Sequence, residues 1–325
     1  MSDTAVDLLA EYDHLEREGG WSTIDRDVID VVGPDAGRYL QGQLSQDVVA
    51  MAASSAWSLL LQPTGKVDAW LRVSRRTDVD YVLDVDAGSG ELVVARLRRF
   101  LLRTKAEIGE PARRSFRAVR GPAARVVLDA EADAVPRSAS DRVGGPVVGP
   151  GVAGIDVMDV EGPRVIGTTT ALFAGSVQVG PQSLERYRIA HAVPAMGSEL
   201  TPDTIPAEAG QWLIDASVSF TKGCYTGQEL VARIDSRGGN VPRPIRLLRV
   251  DGGPLPLAGG EVRAGDAVVG HVTSATPWLA PHQPALALAP VARSVEVGAV
   301  VEVQTVTGAA VATVIEPPFV GHGAG

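Results

Sequence analysis

The sequence predicts an α+β protein with largely antiparallel sheets and a small β-barrel near its C-terminal end. Between residues 25 and 108, strand and helix patterns follow one another as strand, helix, three strands and helix. That order is typical of helices packed against an antiparallel sheet. After residue 241, short β-rich segments alternate with glycine and proline, which is the pattern of a small closed barrel.

The first elements are read from hydrophobic spacing. Leu8, Leu9, Tyr12 and Leu15 lie on one helical stripe that stops at two glycines, so residues 1–20 should form a helix. Pro34 indicates the start of the next helix. Strands are predicted at 25–32, 57–61, 67–73 and 81–85, and the second and third of these are joined by a Pro-Thr-Gly turn at 63–65.

Residues 90–103 form the clearest amphipathic helix, because Val93, Leu97, Phe100 and Leu101 recur on one face. The opposite face carries several arginines, which either form an ordinary solvated surface or receive an anionic ligand.

A second α+β module is predicted downstream, with strands near 117–119, 126–128, 155–160 and 165–169 and a helix from about residue 181. The small and polar residues of 129–151 predict a loop. We therefore divide the chain into modules at 1–112 and 113–240, a barrel at 241–320 and a disordered tail at 321–325.

Composition excludes several classes of protein. The net charge of -9 argues against general binding to nucleic acid. A single cysteine excludes an internal disulfide and does not supply the thiolates of a cluster or structural zinc site, and the histidines lack metal-ligand spacing. Without a long apolar run or a signal peptide pattern, a cytoplasmic monomer that does not bind membranes is expected.

The segment 222–229, Lys-Gly-Cys-Tyr-Thr-Gly-Gln-Glu, holds that cysteine, Cys224. A strand is predicted just before it at 217–220. Thr226 and Glu229 have the spacing of a capping box, which would place Cys224 just ahead of a helix. The helix dipole and the Lys222 ammonium would both favour the thiolate. The alternative is that Cys224 is a small buried hydrophobe, although its polar neighbours favour exposure.

This segment resembles the signature of the YgfZ family, folate-binding proteins that support iron–sulfur enzymes and are related to the glycine-cleavage T-protein (GcvT). Residues 33–48, 62–66 and 270–275 are similar to further blocks of the family, in the same order. The resemblance spans roughly residues 20–310 and implies a three-lobed GcvT-like architecture of two α+β modules and a C-terminal barrel.

The resemblance also implies tetrahydrofolate as cofactor and iron–sulfur client enzymes or assembly proteins as partners. It makes Cys224 the reactive thiolate, exposed on the wall of a cavity large enough for a pterin. Asp47 corresponds to the carboxylate that faces the folate nitrogens in the T-protein. The expected folate-binding residues are Asp47, Lys222, Tyr225, Gln228, Glu229 and Arg233.

Two alternatives stay open. One is a folate-dependent aminomethyltransferase or methyltransferase of the T-protein type. Ala190 argues against it, because the resemblance places a pterin-binding glutamate of the T-protein at this position. The other is a folate-loaded scaffold that carries out no chemistry. Nothing in the sequence implies turnover of a substrate.

Overall fold

The chain is an α+β protein built on two sheets. A computed structural model describes residues 3–51, 55–122, 147–148, 156–161, 177–250, 252 and 254–318. Within them lie a nine-stranded sheet and a seven-stranded sheet. The predicted fold class is confirmed. Across the same residues, no helix combines the length and apolar character needed to span a membrane.

The elements follow in chain order. The helices are α1 (Asp3–Arg17), α2 (Ala36–Gln43), α3 (Gly90–Arg98), α4 (Pro181–Ala190), α5 (Gln211–Ser217) and α6 (Gln228–Asp235), with a 3-10 helix at Pro206–Ala209. The first sheet contains β1 (Gly20–Val32), β2 (Ser55–Leu61), β3 (Val67–Thr77), β4 (Asp80–Asp86), β5 (Glu107–Ile108), β6 (Ala112–Arg120), β7 (Val147–Val148), β8 (Asp156–Glu161) and β9 (Val177–Gln178). The second contains β10 (Ile245–Val250), β11 (Glu261–Ala264), β12 (Ala267–His271), β13 (Ser274–Thr276), β14 (Ala285–Pro290), β15 (Val300–Thr305) and β16 (Gly308–Ile315).

Strand β1 is the centre of the first sheet, whose order is β2-β3-β4-β1-β6-β8-β7. It also pairs with β5 and, in parallel, with β9. Both α+β segments of the chain therefore contribute to one continuous sheet. The boundary predicted at residue 112 falls at the first residue of β6, and the domain division stays a prediction. The strands predicted at 126–128 and 165–169, and most of the loop predicted at 129–151, lie outside the described residues.

The main core lies between this sheet and two helices. Tyr39 and Leu40 of α2 and Val93 and Leu97 of α3 are buried against the strands. Helix α3 ends at Arg98, five residues earlier than predicted. Beyond it the chain turns away from the core, so that the Leu102 side chain is 84% exposed.

The seven-stranded sheet curls into a half-barrel with the order β12-β11-β15-β16-β10-β14-β13. A bridge between Gly270 and Val291 brings β12 to the chain just beyond β14. A Cβ atom at Gly270 would lie 2.4 Å from the carbonyl oxygen of Pro290. Only glycine allows this approach, which explains its place in the block at 270–275.

Helix α1 connects the two sheets. Its residue Glu11 accepts hydrogen bonds from Gly180 N (2.8 Å) and Ser183 Oγ (2.6 Å) at the start of α4. Gln283, from the loop between β13 and β14, donates to Asp13 (3.3 Å) and Glu16 (3.2 Å) of α1. The predicted N-terminal helix is confirmed, and it packs on both lobes at once.

Candidate functional site

The cysteine loop, residues 222–227, lies between α5 and α6. The strand predicted at 217–220 is wrong, because Ser217 ends α5 and the following residues bond to the turn after α2 rather than to a sheet. Ser219 N donates to Ser45 O (3.0 Å), and Ser45 Oγ donates to Ser217 O (2.6 Å). The loop is thus fixed against the block at 33–48.

Two glycines bring the block at 62–66 against the cysteine loop. Gly65 and Gly227 both have φ +83°. A Cβ atom at Gly227 would lie 2.5 Å from Gln62 O, and one at Gly65 would lie 2.4 Å from Leu230 Cβ. The two turns therefore touch through their backbones, which a larger residue would prevent.

This contact also overturns the predicted capping box. Gly227, in the left-handed conformation, is the N-cap of α6, and no side chain caps the helix. Instead of pairing with Glu229, Thr226 donates its N–H to Gly42 O (3.1 Å). The Gln228 side chain accepts from Tyr225 N (3.2 Å). The helix starts one residue later than the box requires.

Lys222 holds the cysteine loop onto the end of α2. Its ammonium donates to the carbonyl oxygens of Gln41 (2.7 Å), Leu44 (2.6 Å) and Gln46 (2.9 Å). An ammonium has three donors, so all of them are used. Burial lowers the pKa of Lys222 to about 8, although the nearby Asp47 opposes this shift. These contacts give Lys222 a structural role and leave it no N–H to donate to Cys224, and its predicted part in the site stays a prediction.

Replacing Lys222 by methionine should therefore loosen the loop. We expect the free energy of unfolding to fall by about 2–3 kcal/mol, since three partly buried carbonyls lose a charged donor. Urea denaturation measures this fall, and the rate at which a thiol reagent labels Cys224 should rise. Lys66→Met, which removes an exposed ion pair with Asp203, is the matched control and should change neither quantity appreciably. Equal stability and labelling in Lys222→Met would contradict this role.

The other predicted residues surround this loop in different ways. Cys224 is exposed. The Asp47 carboxylate accepts from Gln41 Nε2 (2.9 Å) and Ala50 N (3.0 Å). The Lys222 ammonium lies over the Tyr225 ring, with Nζ 5.0 Å from the ring centroid. Burial raises the pKa of Tyr225 to about 12. Glu229 and Arg233 are exposed on α6.

A cavity of about 330 Å³ opens elsewhere, between the first sheet and helices α4 and α5. Its volume is in the usual range of small-molecule sites. None of the predicted site residues is among the described residues that line it. Cys224 is not among the lining residues of this cavity, and its predicted place on the wall of a pterin-sized cavity stays a prediction. The lining arginines are Arg26, Arg120 and Arg188, none of which belongs to α3.

One wall of the cavity is aromatic. Trp57 and Trp70 stack with their ring centroids 4.3 Å apart, and Trp212 meets Trp70 edge-on at 5.9 Å. Trp70 Nε1 donates to Ser217 Oγ (3.0 Å), which fixes the ring. Such a wall suits a flat heteroaromatic ligand.

A buried ion cluster supports this wall from behind. The Asp84 carboxylate, fully buried, accepts from Arg26 and from Arg72 (2.8 and 3.0 Å). Burial would raise the pKa of Asp84, but the Arg72 and Arg26 guanidiniums outweigh burial and lower it. Both guanidiniums lie within 6 Å of the Trp57 ring centroid, at 5.7 and 5.9 Å. Arg26 also donates to Asp86 (2.9 Å), which lines the cavity.

Sequence reasoning missed these lining residues. Trp57 and Trp70 lie in the predicted strands 57–61 and 67–73, and nothing in the strand pattern indicates a ligand site. The available signal was charge: Arg72 stands among apolar residues of a predicted strand, where a charged side chain needs a buried partner.

The fold defines a class, that of the aminomethyltransferase fold. The structure of the glycine cleavage system aminomethyltransferase T from Bartonella henselae superposes with a TM-score of 0.73, covering 97% of this chain and 90% of that one. The two sequences are 21% identical, so this likeness concerns the fold alone.

Sequence comparison is more specific. The tRNA-modifying protein YgfZ of Klebsiella pneumoniae is 28% identical over 248 residues, 73% of each chain, and that of Edwardsiella ictaluri is 29% identical over 253 residues, 74% of each. A mitochondrial iron-sulfur cluster assembly factor IBA57 homolog from Pyricularia oryzae is 26% identical over 66% of this chain and 53% of its own. No family model matches. The chain is related to the YgfZ proteins and, through its fold, to GcvT, which confirms the resemblance.

Proposed function

We propose that this protein binds tetrahydrofolate in the aromatic cavity and supports the assembly or repair of iron–sulfur clusters in client enzymes. The observation that carries the ligand half is the stacked pair of Trp57 and Trp70 on the wall of a cavity of about 330 Å³. The aminomethyltransferase fold supports the same half. The relative named as an iron-sulfur cluster assembly factor supports the other half.

The residues present fit a folate. A pterin is flat and would lie against the tryptophan wall, and its amino and ring N–H groups need acceptors. The carboxylates of Asp25, Asp86 and Glu185 line the cavity and would supply them. When bound, a reduced folate supplies one-carbon or reducing chemistry. The protein's own part is to orient the ring and to exclude water from one face.

Calorimetric titration with tetrahydrofolate tests this proposal. Wild type should bind, and Trp57→Ala should bind at least about tenfold more weakly because stacking and buried area are lost. Trp278→Ala, a partly exposed tryptophan outside the cavity lining, is the matched control and should bind like wild type. Failure of wild type to bind would remove the folate half of the proposal.

The same titration tests Asp47. Asp47 does not line the cavity, and its carboxylate accepts hydrogen bonds from Gln41 and Ala50. Asp47→Ala should therefore leave the affinity for tetrahydrofolate unchanged. A large loss in Asp47→Ala, with none in Trp57→Ala, would move the folate site to the cysteine loop.

Cys224 is proposed as a reactive thiolate that acts on the client. It is exposed on a loop held by Lys222, so a partner can reach it without opening the protein. We expect Cys224→Ser to abolish the support of iron–sulfur enzyme activity in cells while tetrahydrofolate affinity stays unchanged. Full cellular activity of Cys224→Ser would favour the scaffold alternative instead.

The transferase alternative draws on the fold alone. Ala190 is fully buried at the end of α4 and offers no carboxylate to a pterin. For this reason we favour the supporting role over aminomethyl transfer.

A further inference from the structure

The block at 270–275 has a second role besides the bend at Gly270. Two side-chain hydroxyls of this block, which belongs to the half-barrel, contact the same carboxylate. Thr273 Oγ1 lies 2.6 Å and Ser274 Oγ 2.7 Å from Oε1 of Glu199, and both donate to it. The Glu199 side chain is completely buried.

The other oxygen of Glu199 faces the cavity wall. Its Oε2 accepts from Arg188 Nη1 (2.9 Å) and from Ala195 N (3.0 Å). The buried carboxylate thus has four donors, two from the half-barrel and two from residues that line the cavity. It joins the two lobes at this point.

Arg188 is saturated in this arrangement. Its five N–H groups reach Glu185 twice (2.6 and 2.8 Å), Val193 O (2.6 Å), Glu199 (2.9 Å) and Ser274 Oγ (2.7 Å). A guanidinium has five donors, so none is left for a ligand. Although Arg188 lines the cavity, its contacts make it a support for Glu185 and for the segment 193–195.

We propose that Thr273, Ser274 and Glu199 are positioning residues of the cavity. They lie outside its lining, and through Arg188 and Ala195 they hold the wall formed by Glu185 and residues 193–195. The half-barrel is thereby part of the ligand site without touching the ligand. The part of this inference that concerns tetrahydrofolate rests on the proposed function.

Thr273 offers a clean test because valine has its shape without the hydroxyl. We expect Thr273→Val to raise the dissociation constant for tetrahydrofolate about tenfold, the usual effect of one lost hydrogen bond to a charged group. Thr273→Ser keeps the hydroxyl and should restore binding. Thr305→Val is the control: it removes another buried hydroxyl of the half-barrel, which donates to Gly308 O. This variant should bind tetrahydrofolate like wild type.

A ligand-free measurement separates this inference from the folate proposal. Three of the five tryptophans line the cavity, so acrylamide quenching reports how closed its wall is. Quenching should increase in Thr273→Val and stay at the wild-type level in Thr273→Ser and Thr305→Val. Should wild type fail to bind tetrahydrofolate, the folate proposal falls and quenching alone decides the positioning role. Unchanged quenching in Thr273→Val, or an equal increase in Thr305→Val, overturns the inference, even if the melting temperature falls.

Discussion

Replacing Asp84 by asparagine is expected to lower the free energy of unfolding by about 3–5 kcal/mol, the largest effect of any single change considered. The substitution keeps the shape but removes the charge that both Arg26 and Arg72 share. Arg72 would lose its buried ion pair with Asp84, and Arg26 would lose the same pair while keeping the one with Asp86. Removing one partner of a buried ion pair costs far more than the intact pair contributes. Urea denaturation followed by circular dichroism measures the loss.

Asp30→Asn provides the control for this experiment. Asp30 pairs with Arg76 at 3.0 Å, and its side chain is 48% exposed. Exposed pairs of this kind contribute roughly 1 kcal/mol or less. If Asp84→Asn were no more destabilising than Asp30→Asn, the ion cluster would not be what supports the Trp57 wall.

Acid should destabilise the protein through His191. This side chain is buried against the Tyr187 ring, 4.0 Å between centroids, and burial lowers its pKa to about 4, with help from Arg120. The unfolded chain takes up a proton near pH 6.5, whereas the folded chain does so only near pH 4. Stability is therefore complete above about pH 6.5 and falls by about 3 kcal/mol as the pH drops to 4.

The variant that isolates this effect is His191→Asn. Its amide can still donate to Tyr187 O, which lies 2.8 Å from Nδ1 of His191. The slope of unfolding free energy against pH should flatten between pH 6.5 and 4 in this variant. His271→Asn, at an exposed position of β12, should keep the wild-type slope. An unchanged slope in His191→Asn would mean that other groups cause the acid sensitivity.

Most of the fold could be predicted from the sequence because its signals are local. The stripe of Leu8, Tyr12 and Leu15 places α1, and the alternation of Tyr81, Leu83 and Val85 places β4. The Pro-Thr-Gly turn places the hairpin of β2 and β3. Each of these patterns depends on the residue's own neighbours in the chain.

The site depended on contacts between distant residues, and local patterns could not predict it. Gly227 meets Gln62, and this contact shifts the start of α6. Lys222 contacts the carbonyl oxygens of Gln41, Leu44 and Gln46, which use all of its N–H groups. The cavity appears only when Trp57, Trp70 and Trp212 come together from β2, β3 and α5.

The way α1 and β1 are held has a consequence for biosynthesis. Strand β1 can pair with β4 and β6 once residues 80–120 have been made, whereas its short parallel contact with β9 needs residues 177 and 178. Helix α1 completes its contacts later still, when Gln283 can donate to Asp13 and Glu16. We therefore expect α1 to dock after the sheet around β1 has formed, because its contacts join residues that are far apart in the sequence.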